Sequence, residues 1–341
     1  MPLPLEGLTV LDFSTLLPGP LATFMLAEAG AEVIKVEKPG GEDMRRFPPN
    51  FGSTSAAFTV LNGGKKSVAA DLKTEGGHRL INGLVERADI LVEQFRPGVM
   101  DQLGFGYEQV RALNPRIIYC SITGYGQIGP RAQEAGHDLN YQAVTGLLSL
   151  SPGIPDAPTV PPSLVADIAG GTLPAVLNIL LALRQRDLTG EGCHLDIAMA
   201  DAMFTFAWFG LAQGHVIGRF PGSQETMLTG GLPRYGLYAT KDGRFLALGG
   251  LEEKFWQTVC DGIGLPERFR DDRADPDATR AAIVSLVADK TAAEWQAILG
   301  PRDCCATIVA SLEEAMRDLH FRERGLFQVQ ACNLAGYALP A

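Results

Sequence analysis

The chain has 341 residues, 46% of them hydrophobic and 20% charged, which is ample for a buried core and suits two domains better than one. A formal net charge of −10 excludes nucleic acid as a bulk partner but leaves room for a local basic pocket around an anionic ligand. The segment Met1–Glu6 lacks a basic stretch leading into an apolar one and does not read as a signal peptide. The longest apolar stretch, Leu173–Leu183, is interrupted by Pro174 and Asn178 and is too short to span a bilayer. Six cysteines, at 120, 193, 260, 304, 305 and 332, form no Cys-x-x-Cys pair. Reduced thiols, no metal site and a cytoplasmic location are expected.

In chain order, Leu8–Phe13 reads as a buried strand, and Pro18-Gly19-Pro20 opens a helix running to about Ala29. Gly30 ends it and Glu32–Glu37 is the next strand, so a β-α-β unit begins with proline at the helix start and glycine at its end. Short strands at Ser67–Ala70, Ile90–Glu93 and Ile117–Ile122, with a helix over Thr74–Arg87, continue the alternation. The pattern predicts a Rossmann-like parallel sheet covered on both faces. The first strand-to-helix turn, Ser14–Pro20, lacks the Gly-x-Gly-x-x-Gly fingerprint, so NAD binding has no support. Asn62–Ser67 looks only faintly like a phosphate loop, lacking the early glycine.

The pattern turns helical from Leu173 through Ala182, and residues 194–213 continue with Asp196, Met199, Met203 and Phe206 at helical spacing. Tyr235–Thr240 and Phe245–Leu248, joined by Lys241–Arg244, predict a hairpin. Helices follow near 252–263, 277–287, 291–299 and 311–319. The expected division is a large Rossmann-like domain over 1–190 with a C-terminal return at 318–341, linker helices over 191–224, a small α+β domain over 225–310 and a return linker at 311–317.

Two segments carry candidate chemistry. Gly136-His137-Asp138-Leu139-Asn140-Tyr141 and Ala166-Asp167-Ile168-Ala169-Gly170-Gly171 supply an imidazole and a carboxylate about thirty residues apart. Each could do bland work: a His-Asp pair forms surface hydrogen bonds, and Asp167 could simply cap a helix. Together they could move a proton on either face of one carbon.

Several segments together resemble the family III coenzyme A transferases, and within them the α-methylacyl-CoA racemase branch. The marks are Leu5–Leu8, Leu17–Pro20, Gly30–Glu37, Lys65–Ser67, Phe95–Val99, Gly104–Tyr107 and Ser121–Gly126, spread over nearly the whole chain. In the transferase branch the aspartate matching Asp167 is a nucleophile. In the racemase branch it is an acid/base partner to a histidine in a Gly-His-Asp-x-Asn-Tyr segment, which this chain carries intact. Gly230–Pro233 and Gly249–Glu252 look like the racemase glycine-proline loop and the glutamate that pairs with its histidine. Glu252 could otherwise be a solvated helix-start residue, with Glu253 as a competitor.

The resemblance implies a cofactor-independent racemase or epimerase of 2-methyl-branched acyl-CoA, with coenzyme A carried as part of the substrate. His137 and Asp167 would be the two bases, Glu252 would hold the imidazole, and Asp138 and Tyr141 would be supporting residues. Lys38, Lys65, Lys66 and Arg96 would meet the coenzyme phosphates. Removing a proton α to a thioester also needs a donor to the developing enolate oxygen, expected from a backbone N–H near Asp167 or its glycines. The fold implied is an interlocked homodimer with the active site shared between subunits, and neither nucleic acid nor membrane is an expected partner. The alternatives are an acyl-CoA:carboxylate CoA-transferase with Asp167 as nucleophile, and a non-catalytic acyl-CoA-binding protein. Met199, Met203 and Phe206 are candidate walls for the acyl group or ordinary core residues. Two departures from the family pattern are Gly63, where relatives carry arginine, and Ile308, where racemases tend to carry proline.

Overall fold

The computed structural model describes residues 2–151, 158–332 and 338–340; Cys332 falls where its side chain is outside that description. The chain divides into two compact units, the first comprising residues 1–145, 161–206 and 327–341, the second 146–160 and 207–326.

The first unit is built on six strands: β1 (Thr9–Asp12), β2 (Glu32–Glu37), β3 (Lys66–Ala69), β4 (Ile90–Glu93), β5 (Ile118–Thr123) and β6 (Cys193–Ala198). They hydrogen-bond in the order 3-2-1-4-5-6, and every pair is parallel. The central strands are buried on both faces, with Val10, Leu11, Ile90, Leu91, Val92, Ile118, Cys120 and Ile122 fully inaccessible. That burial explains why they read as continuous apolar runs rather than alternating ones. Helix α1 (Pro18–Glu28) follows β1 with Pro18 pre-set for its first turn. Gly19 at that turn packs so close that an added Cβ would lie 2.2 Å from the Ser14 Cβ. Helix α2 (Glu75–Val85) is capped by Thr74, whose hydroxyl accepts from the Gly77 N–H at 3.1 Å.

β6 corrects the helical reading of residues 194–198. Cys193–Ala198 is an edge strand paired along β5, and helix begins only at Met199, as α3 (Met199–Phe206). Strand runs into helix without a turn residue between them, so the helical spacing of Met199, Met203 and Phe206 extended backward onto Asp196. These residues belong to the large sheet, not to a linker. The apolar segment near 173 is also longer than expected. A π-helical turn, Ala166–Thr172, leads directly into α4 (Leu173–Thr189), and the joint helix is long and apolar enough to cross a membrane by length and composition. Here one face of α4 is packed: Ala175, Ile179, Ala182 and Leu183 are buried, and Arg186 pairs with Asp89 at 3.0 Å. The other face leaves Leu173, Leu177, Leu180, Leu181 and Leu188 exposed.

The second unit carries an antiparallel sheet of β7 (Tyr235–Ala239), β8 (Phe245–Gly249) and β9 (Ala306–Ile308), with β8 in the middle. The hairpin matches its sequence signals; β9 did not announce itself, being three residues long. Ile308, one of the two departures, sits opposite Leu246 in that pairing. Three helices, α5 (Glu253–Ile263), α6 (Pro276–Ala288) and α7 (Ala292–Leu299), pack Trp256, Val259, Ile283, Val287, Trp295 and Leu299 against the sheet. Their ends are well marked, by Asp275 accepting from the Ala278 N–H, by the Thr291–Glu294 capping box and by left-handed Gly264.

Candidate active site

The strand order reverses between β1 and β4, which leaves a crevice at the carboxyl ends of the strands, where open parallel sheets bind ligands. Two cavities of the first unit lie there. One, of about 400 Å³, is walled by the segments that follow β1, β2, β3 and β4: Phe13–Leu16, Lys38 and Pro39, Ala70–Lys73, and Phe95. The other, of about 390 Å³, is lined by Leu16, Pro18, Gln94–Pro97, Thr123, Gly124, Gly136, His137, Asn140, Tyr141, Asp167 and Met199. Leu16 and Phe95 border both.

His137 and Asp167, read as a pair from sequence, line the second cavity together with Tyr141 and Arg96. His137 precedes the short helix Asp138–Val144, and its backbone N–H donates to the Asn140 Oδ1 at 3.0 Å. Asp138 at the first helical position is buried. Its Oδ1 accepts from the Asp167 backbone N–H at 3.0 Å and its Oδ2 accepts from the Gln142 Nε2 at 2.6 Å. That carboxylate ties the helix to the π turn, so that the segments carrying His137 and Asp167 border one cavity. It also occupies the Asp167 N–H, so this donor, one of those expected to meet an enolate oxygen, is already engaged. Tyr141 is buried and donates through its hydroxyl to the Gly136 carbonyl at 2.6 Å. An added Cβ at Gly124 or Gly136 would fall 2.5 or 2.7 Å from the Tyr141 ring, so glycine at both positions is what admits the ring.

The electrostatics suit proton transfer. Burial and the neighbouring Asp138 push the Asp167 carboxyl up to about 6, with His137 pulling the other way. Burial, and then Asp167, push the Tyr141 hydroxyl up to about 12, so it remains protonated beside the carboxylate. Asp167 is half-buried and His137 is exposed. Of the three candidate walls for an acyl group, Met199 lines the cavity, Met203 is core and Phe206 is exposed.

The cations divide. Arg96 is exposed on the second cavity with no ion pair among the described residues. Lys38 lines the first cavity while pairing with Asp43 at 2.9 Å on the surface. Lys66 pairs with Glu32 at 2.6 Å and lines neither cavity. Lys65 corrects the expectation of a phosphate contact. Its ammonium is buried, and the Asp12 Oδ2, Pro20 O, Thr23 Oγ1 and Asn62 Oδ1 all lie within 3.0 Å. Three protons facing four acceptors leave none for a phosphate. Lys73, which sequence reasoning passed over, is an exposed cation on the first cavity. The signal available for it was its place in the turn after a parallel strand. Glu252 belongs to the second unit, where it is the exposed N-cap of α5, and its carboxylate has no hydrogen bond among the described residues. Glu253 is instead engaged, accepting from Arg234 at 3.1 Å and from Gln257 at 2.6 Å.

The sequence profile of CoA-transferase family III matches residues 5–335. The chain is 36% identical to the human alpha-methylacyl-CoA racemase over 330 residues, spanning 95% of this chain and 82% of that protein. It is equally identical, 36% over 306 residues, to the acetyl-CoA:oxalate CoA-transferase of Acetobacter aceti, spanning 86% and 77% of the two chains. A solved CAIB/BAIF family protein from Brucella suis superposes with a TM-score of 0.84 at 30% identity, covering 96% of this chain and 89% of that one. With the parallel sheet, the crevice and the match along nearly its full length, the chain belongs to the family III CoA-transferases.

Proposed function

We propose that the protein is a racemase or epimerase of 2-methyl-branched acyl-CoA thioesters. The observation that carries this reading is the pair of groups lining one cavity: an imidazole, His137, and a carboxyl, Asp167, pushed up to about 6. A group of that pKa exchanges a proton in either direction near neutrality. In one direction ionised Asp167 takes the C2 proton and the His137 imidazolium returns one to the opposite face. In the reverse direction neutral His137 is the base and protonated Asp167 is the acid. The intermediate is an enolate, and the chemistry calls on no cofactor.

The first cavity, with Lys38 and Lys73 at its wall, suits the nucleotide end of the coenzyme, and Arg96 suits a phosphate on the way to the second. The exposed leucine row of α4 supports assembly as a homodimer, because an apolar stripe of that length on a soluble protein marks a contact surface. In a site shared between subunits, Glu252 of one copy would hold the imidazole of the other. Its carboxylate, which has no hydrogen bond among the described residues, supports that role.

A single enantiomer of a 2-methylacyl-CoA, incubated in D2O without any carboxylic acid acceptor, tests the reading. Deuterium entering C2 with loss of stereochemical purity is the expected result. The same cavity also offers Asp167 to a thioester carbonyl, and relatives of equal identity include transferases. Turnover that needs a carboxylate acceptor and passes through a hydroxylamine-sensitive acyl-enzyme would establish the transferase in its place. Tight binding with neither activity would leave the protein a carrier of acyl-CoA.

A further inference from the structure

Leu16 is a non-glycine residue in the left-handed region, with φ of 62°. Such backbone persists only where its surroundings over-determine it, and outliers of this kind gather at functional sites. The surroundings here are a buried ion network directly beneath the loop. The Leu16 N–H donates to the Glu42 Oε2 at 3.2 Å. Glu42 pairs through its other oxygen with Lys35 at 3.1 Å, and Lys35 donates to the Ser14 carbonyl at 2.8 Å. Asp12 accepts from the Ser14 N–H at 2.9 Å and from its hydroxyl, and faces Lys65 at 3.0 Å and Lys35 at 3.9 Å. Asp12, Lys35 and Glu42 are each at most 3% exposed. Two acids and two lysines are thus taken out of water beneath three residues of loop, a placement that desolvation disfavours unless it fixes something specific.

What it fixes stands at the switch point of the sheet. Leu16 follows β1, Phe95 follows β4, and they are the two residues common to both cavities. The Leu16 side chain packs against the cluster of Met44, Phe58 and Leu61. A ligand that occupied both cavities would meet Leu16 and Phe95 in each.

We propose that Leu16 sets how far an acyl-CoA thioester advances toward His137 and Asp167, and that Glu42 and Lys35 are positioning residues acting through it. The inference rests on the acyl-CoA reading above, but not on which reaction follows binding. The chemical requirement is registry: proton transfer needs the reacting atoms about 3 to 3.5 Å apart, so a small slip of the thioester removes the reaction while leaving the coenzyme held.

Leu16→Gly keeps the backbone conformation accessible, because glycine adopts positive φ freely, and removes only the side chain. Glu42→Gln keeps the shape and removes the charge opposite Lys35. The double variant closes the cycle. For C2 exchange, Leu16→Gly is expected to lower kcat about thirtyfold with KM within about threefold, and Glu42→Gln about tenfold; in the double variant Glu42→Gln adds less than about twofold, as a residue acting through Leu16 requires, whereas direct action of Glu42 from the wall of the first cavity would make the losses additive. A second readout needs no turnover: the carbonyl ¹³C resonance of bound, thioester-labelled acyl-CoA should move at least half way back to its free value in both single variants and no further in the double. Wild-type protein that binds the thioester without exchanging C2 sinks the racemase reading while the resonance still reports on Leu16. An unchanged kcat and resonance in Leu16→Gly, or additive losses in the double variant, would overturn the present inference. Should Glu42→Gln not fold, the resonance and kcat of Leu16→Gly decide alone.

Discussion

Two carboxylates of the first unit, Asp12 and Asp167, show that burial does not by itself decide how an acid behaves. Asp12 is the more deeply buried, yet it is held below its ordinary value. Burial raises it, but Lys65, Lys35 and the hydroxyls of Ser14 and Thr23 more than reverse the effect. Asp167 is only half-buried and rises to about 6, because burial raises it, the neighbouring acid Asp138 adds to the rise, and His137 alone pulls the other way. The acid surrounded by cations is locked in one charge state and builds the loop. The acid beside another acid is left poised between two states and is available for chemistry.

The comparison breaks most sharply at Asp167 itself. Asp167→Ala should lower C2 exchange by roughly 10²- to 10⁴-fold, the range for a placed acid/base group, and His137→Ala should follow at the lower end. Rates of deuterium entry measure both, and a variant at Asp167 with wild-type exchange ends the two-base reading. Next comes the locked acid. Lys65→Met leaves Asp12 buried with its closest cation gone and should cost about 3 to 5 kcal/mol of stability by urea unfolding. Lys38→Met, at an exposed pair, should cost under about 1 kcal/mol. Equal losses at the two lysines would show that burial of the pair counts for nothing.

A comparably small effect is a matter of pH, with opposite signs at the two acids. Asp167 is raised above its ordinary 3.8, so the folded state binds more proton there between about pH 4 and 6. Its contribution to stability falls as pH rises through that window and is level above it. Asp167→Asn should therefore stabilise the protein by on the order of 1 kcal/mol at pH 8, after allowing for solvent access to the carboxyl, and by nothing at pH 4. Asp12 does the reverse: its contribution is complete above pH 4 and is lost as pH falls through its lowered pKa. Unfolding free energies followed from pH 8 down to well below pH 4 separate the two, Asp167 changing in the upper part of that range and Asp12 in the lower.

Much of this was legible before any coordinates. The central strands announced themselves as apolar runs, and three helices of the second unit fall close to the expected 252–263, 277–287 and 291–299. His137 and Asp167 share a cavity as their motifs suggested. What escaped has physical causes. β6 abuts α3 with no punctuating glycine or proline, so one period overwrote the other. Lys65 and Lys66 are adjacent in sequence, but Lys65 lies just ahead of β3 with its ammonium buried against Asp12, while Lys66 opens the strand with its side chain in solvent, a difference that composition cannot show. Lys73 had no motif, only a position relative to a strand end.

The π turn at Ala166–Thr172 has a consequence for how this chain tolerates change in length. Each of its turns holds one residue more than an α-helix would, and α4 continues from it without a break. Removing one residue between Ile168 and Gly171 would let the segment relax to ordinary helix. Because the wide turn absorbs that residue, the leucine row, the buried face of α4 and the segment ahead of the deletion would all stay close to their present phase, whereas the same deletion inside α4 would rotate one side against the other by about 100°. Asp167 would keep its cavity in the first case and lose it in the second. The turn therefore acts as slack in the chain, taking up a change of length without turning the acid away from the helix that anchors it.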